Sequence, residues 1–290
     1  MTHPIAVFTD PESMHRWTRE HRNTAHERIA LVPTMGALHA GHLALVEAAT
    51  RQAEKVIVSI FVNPTQFAPG EDFETYPRDL EADLAKLRPY GVDVVFAPQS
   101  ESIYPPGFDT YIEPEHMAER LCGASRPGHF RGVCTVVYLL FRITHADVAV
   151  FGEKDYQQLQ IIRRMNRDLR LGVEILSVPT VREPDGLALS SRNAYLSTEA
   201  RADALALNRA LDVAAAAYQN GERERDALIE LARSELAKAT QLEIEYVTLA
   251  DAETLEPAPQ HLTAPAVLAL AAQVGPARLI DNRVLGAPTR

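Results

Sequence analysis

Residues 28–62 read RIALVPTMGALHAGHLALVEAATRQAEKVIVSIFV, and this stretch decides the fold. Its ends, RIALVPTM (28–35) and KVIVSIFV (55–62), are short, nearly continuous apolar runs rich in Val and Ile, as strands covered on both faces read. Between them HLALVEAATRQAE (42–54) carries apolar residues at helical spacing, so the whole is one β-α-β unit. The turn from strand to helix holds PTMGALHAGH (33–42), with His39 and His42 three residues apart. Three readings of that pair compete: a metal pair, two structural histidines, or a site that holds phosphate.

The alternation continues along the chain. RDLEADLAKLRPYG (78–91) reads as helix, VDVVFAP (92–98) as strand and VCTVVYLLFRIT (133–144) as a buried helix. ADVAVFG (146–152) then reads as strand, YQQLQIIRRMNRDLR (156–170) as helix and VEILSVPTV (173–181) as strand. Strand alternating with helix predicts an α/β fold, a doubly wound, Rossmann-like parallel sheet, in which ligands gather at the carboxyl ends of the strands. After about residue 183 the texture changes. Two Ala-rich helical segments (198–220 and 224–239) lie around Gly221, and strand-like runs follow at 242–251, 266–274 and 277–285. Helices followed by strands predict a smaller C-terminal α+β domain. The expected division is residues 1–182 and 183–290, the second domain serving as a lid. VREPDGLALSSRN (181–193) links them, with the Pro, Asp-Gly and Ser-Ser chemistry of a loop.

A chain of 290 residues, 46 % hydrophobic and 23 % charged, is ordinary for a globular protein with a real core. The formal net charge of −10 lacks the basic footprint of non-specific nucleic-acid binding, so no nucleic-acid partner is expected. No run approaches the ~18 apolar residues of a membrane helix. MTHPIAVFTDPESMHRW (1–17) has no basic segment leading into an apolar one, so neither membrane association nor a secretory leader is expected. Cys122 and Cys134 stand outside any C-x-x-C pattern and read as reduced structural thiols, which fits a cytoplasmic protein.

At a strand-to-helix turn the first helical N–H groups lack intrahelical partners, and the helix dipole adds positive potential. Such a terminus holds phosphate. Gly36 and Gly41 let backbone approach closely, and His39 and His42 can donate to phosphate oxygens. A zinc pair needs a third ligand, which no nearby Cys, His or Asp supplies at convincing spacing. Three more polar segments follow strands: NPTQF (63–67), FGEKD (151–155) and LALSSRN (187–193). Singly, Lys154 reads as a solvated helix-start residue and Gln66 as a loop cap. Together, a His pair, a Lys, an Arg and two serines at one edge of the sheet favour a triphosphate site.

PTMGALHAGH (33–42), VNPTQFAPGEDFETYPRDLEAD (62–83), RPGHFRGVCTVV (126–137), FGEKDYQQLQIIRRM (151–165) and DGLALSSRNAYL (185–196) resemble, in order, the motifs of a known family. It is the pantothenate synthetase (pantoate–β-alanine ligase) family of the H-x-G-H nucleotidyltransferase superfamily. The likeness spans roughly residues 30–200 and thins to general architecture beyond. It implies an ATP-dependent ligase that activates pantoate as a pantoyl-adenylate, transfers it to the β-alanine amine, and releases AMP and pyrophosphate. It also implies a Mg²⁺ requirement and a homodimer.

Carried onto this sequence, the resemblance gives His39, His42, Lys154, Ser190, Ser191 and Arg192 catalytic roles at the ATP phosphates. Pro33, Thr34, Met35, Gly36, Gly152, Val181 and Leu189 complete the ATP site, with Asp155 on the ribose hydroxyls. Gln66 and Gln158 would hold pantoate, with Tyr76, Arg126 and His129 lining its pocket. Gln157 competes with Gln158, since one of the two must point away. The resemblance assigns no metal ligand; Asp83 is a weak candidate. Leu139, in TVVYLLF, stands where members of the family often carry Lys, which predicts a change in packing, and Leu189 where some carry Met, a conservative apolar swap. Two other readings keep the same H-x-G-H turn: a nucleotidyltransferase acting on a phosphorylated substrate, and a nucleotide-binding module without turnover.

Overall fold

The computed structural model describes residues 4–25 and 27–286. In chain order the elements are β1 (Ala6–Phe8), α1 (Pro11–Ala25), β2 (Ile29–Thr34), α2 (Ala40–Thr50), β3 (Lys55–Ile60), α3 (Leu80–Leu87) and β4 (Val94–Phe96). The one-turn helices α4 (Ser100–Ile103) and α5 (Cys122–Ser125) follow, then α6 (His129–Thr144), β5 (Val148–Gly152), α7 (Tyr156–Asp168) and β6 (Glu174–Val178). The strands pair in the order β1-β4-β3-β2-β5-β6, every neighbour parallel. From β2 the chain winds outward through β3 to β4, then returns to lay β5 on the other side of β2. That reversal between β2 and β5 is the topological switch point, where such sheets open a crevice.

The apolar runs explain the sheet. Ala30 and Val32 of β2, Val56 and Val58 of β3, and Val148 and Val150 of β5 share one core layer with Leu45, Val46 and Ala49 of α2. Ile29, Leu31, Ile57 and Ala149 alternate to the opposite face and are fully buried there. Each buried Val or Ile contributes about 1.5–3 kcal/mol, so a strand apolar on both faces is stable only with cover on both sides. β1 and α1 precede the first strand that the sequence pattern reveals. A three-residue edge strand is too short to show a period, and among its described side chains α1 fully buries Met14 and Thr18 alone. Helix α6 starts at His129 rather than at the expected 133, because Gly128 takes φ +81° and turns the chain into the helix early.

The chain divides into two units. The first takes in Met1–Glu119, Gly123–Glu153 and Ile161–Pro179, the second Arg120–Cys122, Lys154–Gln160 and Thr180–Arg290. The last break falls between Pro179 and Thr180, and two short earlier segments go with the second unit. Hydrogen bonds account for them. Gln157 Oε1 accepts from the Cys122 N–H at 3.0 Å and its Nε2 donates to Arg120 O at 2.7 Å. Tyr156 donates to Ala252 O at 2.8 Å, and Asn282 Nδ2 donates to Lys154 O at 2.9 Å.

In the second unit, α8 (Thr198–Gln219) and α9 (Arg225–Leu236) pack on an antiparallel sheet of β7 (Leu242–Asp251), β8 (Ala266–Val274) and β9 (Ala277–Leu285). These three strands have the bounds that the sequence predicts. Ala200, Ala204, Leu207, Leu211 and Ala214 recur at alternate four- and three-residue steps, one stripe of a helix. They share a core with Leu268, Leu270 and Ala272 of the central strand. Alanine at these positions lets a helix approach a sheet closely.

Candidate active site

The turn after β2 is built mainly from backbone. Gly36 adopts φ +83° and Ala37 φ +49°, left-handed geometry that reverses the chain between strand and helix and favours glycine at the first position. Thr34 Oγ1 receives the Gly36 N–H at 3.2 Å and donates to Ser59 O on β3 at 2.7 Å. Asp83, 2 % exposed at the start of α3, accepts the Leu38 N–H at 2.8 Å, and Lys86 donates to Leu38 O at 2.7 Å. A Cβ on Gly36 would lie 3.1 Å from both Asp83 Oδ2 and Ile60 Cγ2, so a side chain there would fit only if those two neighbours gave way by a few tenths of an ångström.

His39 then caps α2, extended at φ −135° and ψ 175°. Its N–H donates to His42 Nδ1 at 3.3 Å. That bond makes Nδ1 of His42 an acceptor and leaves Nε2 to carry the proton, a donor for an incoming anion. The two imidazoles lie with centroids 4.0 Å apart and planes 31° apart. Both rings therefore sit within one turn of the α2 N-terminus, at the carboxyl end of the β2 strand that borders the switch point.

The turn after β3 is built from side chains. Asn63, 1 % exposed, caps the 3₁₀ turn Pro64–Gln66. Its Oδ1 accepts from the Thr65 N–H at 3.3 Å, the Thr65 hydroxyl at 2.9 Å and the Tyr104 hydroxyl at 2.8 Å. Its Nδ2 donates to Gly132 O at 3.2 Å and to Gln66 Oε1 at 3.1 Å. Gln66 Nε2 points the other way, 3.0 Å from Met35 Sδ of the neighbouring turn. Helix α6 presses on this turn: a Cβ on Gly132 would lie 2.3 Å from Thr65 O and 2.7 Å from the Gln66 nitrogen.

Arg126 and His129 both close on the same glutamine's backbone. His129 Nδ1 donates to Gln66 O at 2.7 Å, and Arg126 reaches that oxygen at 3.3 Å. Arg126 also grips Glu71 through two bonds of 2.6 Å. Burial pushes the Glu71 carboxyl up, but this guanidinium, together with the Ala68 N–H, outweighs it and holds Glu71 below the usual carboxylate range. Tyr76 lies 6 % exposed, edge-on to Phe67 at 6.1 Å.

In the second unit, Lys154 and Asp155 lie in a 3₁₀ turn leading into α7, with Lys154 Nζ 3.8 Å from Asp155 Oδ1. The Gln157 amide is committed to Arg120 and Cys122, so Gln158 is the partly exposed member of the pair. The expected loop at 181–193 contains a small hairpin. Arg182 bridges Ala188, the Glu183 N–H donates to Leu187 O at 2.8 Å, and the Leu189 N–H donates to Val181 O at 3.0 Å. Arg182 holds the buried Asp281 by two bonds of 2.6 and 2.9 Å. Arg201 bonds both Glu183 and Asp185 and keeps both carboxyls below their usual range. Ser190 caps the following 3₁₀ turn, Ser191–Tyr195, by accepting the Arg192 N–H at 3.3 Å. Neither Cys122 nor Cys134 forms a disulfide, and burial pushes the Cys134 thiol up to about 12.

In the first unit, then, the structure brings together Met35, Gly36, His39, His42, Gln66, Arg126 and His129. In the second, Lys154 and Asp155 share one turn leading into α7 with Gln158, while Val181 pairs with Leu189 in the hairpin that runs into the Ser190–Arg192 turn. Sequence reasoning missed Asn63, Thr65, Glu71 and Tyr104. Asn-Pro-Thr directly after a strand is a capping pattern that could have exposed Asn63. Nothing local announces Tyr104, 41 residues further along.

An open parallel sheet whose switch point borders an H-x-G-H turn at a helix N-terminus defines the class, an α/β protein of the H-x-G-H type. Comparison with known proteins narrows it. The sequence model of pantoate-beta-alanine ligase matches residues 6–284, and the chain belongs to that family of enzymes. It is 52 % identical over 281 residues to pantothenate synthetase 1 of Bradyrhizobium diazoefficiens, covering 97 % of this chain and 98 % of the other. It is 53 % identical to the pantothenate synthetase of Myxococcus xanthus, with 97 % and 96 % covered. The crystal structure of the Thermus thermophilus pantothenate synthetase superposes with a TM-score of 0.90 at 44 % identity, over 96 % of this chain and 99 % of that one. A Francisella tularensis pantoate-beta-alanine ligase, solved with beta-gamma ATP and β-alanine, gives 0.78 at 34 % identity, covering 98 % and 99 %.

Proposed function

We propose that the chain joins pantoate to β-alanine in two steps through a pantoyl-adenylate. The family supports the overall ATP-dependent ligation, and the crystallised Francisella relative holds ATP-type and β-alanine ligands. The observation that carries the adenylate route is the first turn. A helix N-terminus, a left-handed glycine with little space for a Cβ and two imidazoles meet at a strand's carboxyl end, which is the equipment of a phosphate site.

In the first step a pantoate carboxylate oxygen attacks the α-phosphorus in line. The new P–O bond forms as the bond to the β-phosphate oxygen breaks, and pyrophosphate leaves with the electron pair. Two anions must meet, so the protein's main work is positioning and neutralising charge. His39 and His42 donate to phosphate oxygens, Lys154 adds full positive charge, and Ser190, Ser191 and Arg192 hold the leaving pyrophosphate. Pro33, Thr34, Met35, Gly36, Gly152, Val181 and Leu189 line the nucleotide, and Asp155 accepts from the ribose hydroxyls. Gln66 and Gln158 bond pantoate's oxygens, with Tyr76, Arg126 and His129 around them. In the second step the β-alanine amine attacks the acyl carbon, the bond to AMP breaks, and the amide forms with loss of one proton.

Magnesium would be carried chiefly by the triphosphate. Among the described residues no group of three or more His, Cys, Asp or Glu could hold a metal. One donor fits a hard cation: Asp83 Oδ2 is buried and makes no hydrogen bond among the described residues. It lines a cavity of about 250 Å³ with Gly36, Arg78 and Asp79. When bound, the ion would neutralise phosphate charge. A homodimer is proposed from the same resemblance, and a cytoplasmic setting from the two free cysteines. No described helix is long and apolar enough to cross a membrane.

The test is exchange of labelled pyrophosphate into ATP. Exchange is expected with pantoate present and β-alanine absent, and AMP release is expected to need both. AMP release with both substrates but no exchange without β-alanine would overturn the adenylate route.

A further inference from the structure

The amide chain beneath Gln66 is more tightly determined than a loop cap requires. Gly132 O can only accept and the Thr65 N–H can only donate, so their bonds to Asn63 fix which end of its amide is nitrogen. Asn63 Nδ2 then fixes Gln66, because only an oxygen can receive it. The result is that Gln66 Nε2 faces away from the chain, beside Met35, whose thioether is a weak acceptor. A glutamine held this way offers N–H donors to an oxygen-bearing ligand and withholds its own oxygen.

At the other end stands Tyr104. Its hydroxyl donates to Asn63 Oδ1 at 2.8 Å and lies 3.2 Å from the Thr65 hydroxyl. Burial pushes the phenol up to about 12, so it remains a proton donor throughout the neutral range. Its ring packs against Phe108 at 5.1 Å and Phe61 at 6.3 Å, contacts that a phenylalanine would keep.

We propose that Tyr104 is a positioning residue for the ligation: through Asn63 it holds Gln66 with its donor end turned to pantoate's oxygens. The inference rests on the reading of Gln66 as a pantoate-holding residue. Without the phenol, Asn63 loses a donor on a buried oxygen, its terminal torsion is broad, and the Gln66 amide can rotate to present oxygen to an anion.

The experiment is a double-substitution cycle of Tyr104→Phe and Gln66→Met. Pantoate affinity is read by NMR titration of pantoate itself, which needs no turnover, and ATP affinity is read on the same samples. Tyr104→Phe is expected to weaken pantoate on the order of tenfold and to leave ATP within twofold. In the Gln66→Met background it is expected to change pantoate affinity by less than twofold. If Tyr104→Phe weakens ATP equally, adds its full effect to Gln66→Met, or leaves pantoate untouched, the positioning role is overturned. If Gln66→Met itself leaves pantoate affinity unchanged, the reading of Gln66 has failed, and the proposal with it.

Discussion

Two turns stand side by side at the carboxyl ends of β2 and β3, and they are made in opposite ways. The first is shaped by backbone, with Gly36 and Ala37 left-handed and a helix N-terminus presented to the crevice. The second is shaped by buried amides and hydroxyls, with Asn63 making five hydrogen bonds to Thr65, Gln66, Tyr104 and Gly132. Backbone N–H groups and a helix dipole suit a spread of phosphate charge. A locked amide suits a ligand with a few oxygens in fixed places. On the proposed function the first turn would serve the nucleotide and the second pantoate, and the two touch where Gln66 Nε2 meets Met35 Sδ.

The largest expected effect lies in the first turn. On the proposed role of His42 as a phosphate donor, His42→Ala removes that donor, and loss of one such donor costs on the order of 10²–10³ in rate. Pantoate-dependent pyrophosphate exchange is expected to fall by that factor, with thermal unfolding unchanged, because His42 is only partly buried. Exchange within fivefold of the parent enzyme would remove His42 from the chemistry.

The same contrast governs what a reader of the sequence can see. Residues 28–62 disclose the strand, turn and helix because burial on both faces leaves long Val and Ile runs, and because glycine and paired histidines are conspicuous at a strand end. The C-terminal strands were equally legible, since β8 alternates Leu268, Leu270 and Ala272 toward one core. The second turn was not. Its bonds join Asn63 to Gly132 and Tyr104, 69 and 41 residues away, and no local pattern encodes such a partner. Likewise a Pro, Asp-Gly and Ser-Ser composition discloses a loop, but not that Arg182 reaches Asp281 to pin it.

Two glycine substitutions separate the turns. Gly132→Ala drives a Cβ to 2.3 Å from Thr65 O, which the backbone relieves only by moving the second turn away from α6. Overpacking of this kind costs about 1–3 kcal/mol, and a displaced Gln66 is expected to raise the pantoate KM roughly tenfold while the ATP KM holds. Gly36→Ala is milder, since its neighbours lie at 3.1 Å and a left-handed alanine costs about 1 kcal/mol. Its effect is expected on the ATP KM, by less than tenfold. Steady-state kinetics with each substrate varied in turn decides the matter, and a pantoate defect in Gly36→Ala that matches its ATP defect would erase the distinction.

The smallest effect concerns the clamp on the second turn. Arg126 holds Glu71 below the usual carboxylate range despite partial burial, and Arg126 and His129 together hold Gln66 O. A carboxyl whose folded value is depressed contributes stability that is present above its unfolded value, about 4.3 for Glu. That stability is lost as pH falls through the folded value. The clamp should therefore be fully formed from neutral pH down to about 5 and loosen only in stronger acid. Because Glu71 is partly open to solvent, Glu71→Gln is expected to raise the pantoate KM less than threefold at pH 7. The defect should shrink as pH falls through the depressed folded value of Glu71, where the parent enzyme loses the same charge. Pantoate titrations from about pH 3 to 8 on both proteins measure this, and a defect that grew with acidity would mean that the Glu71 charge does not hold the turn.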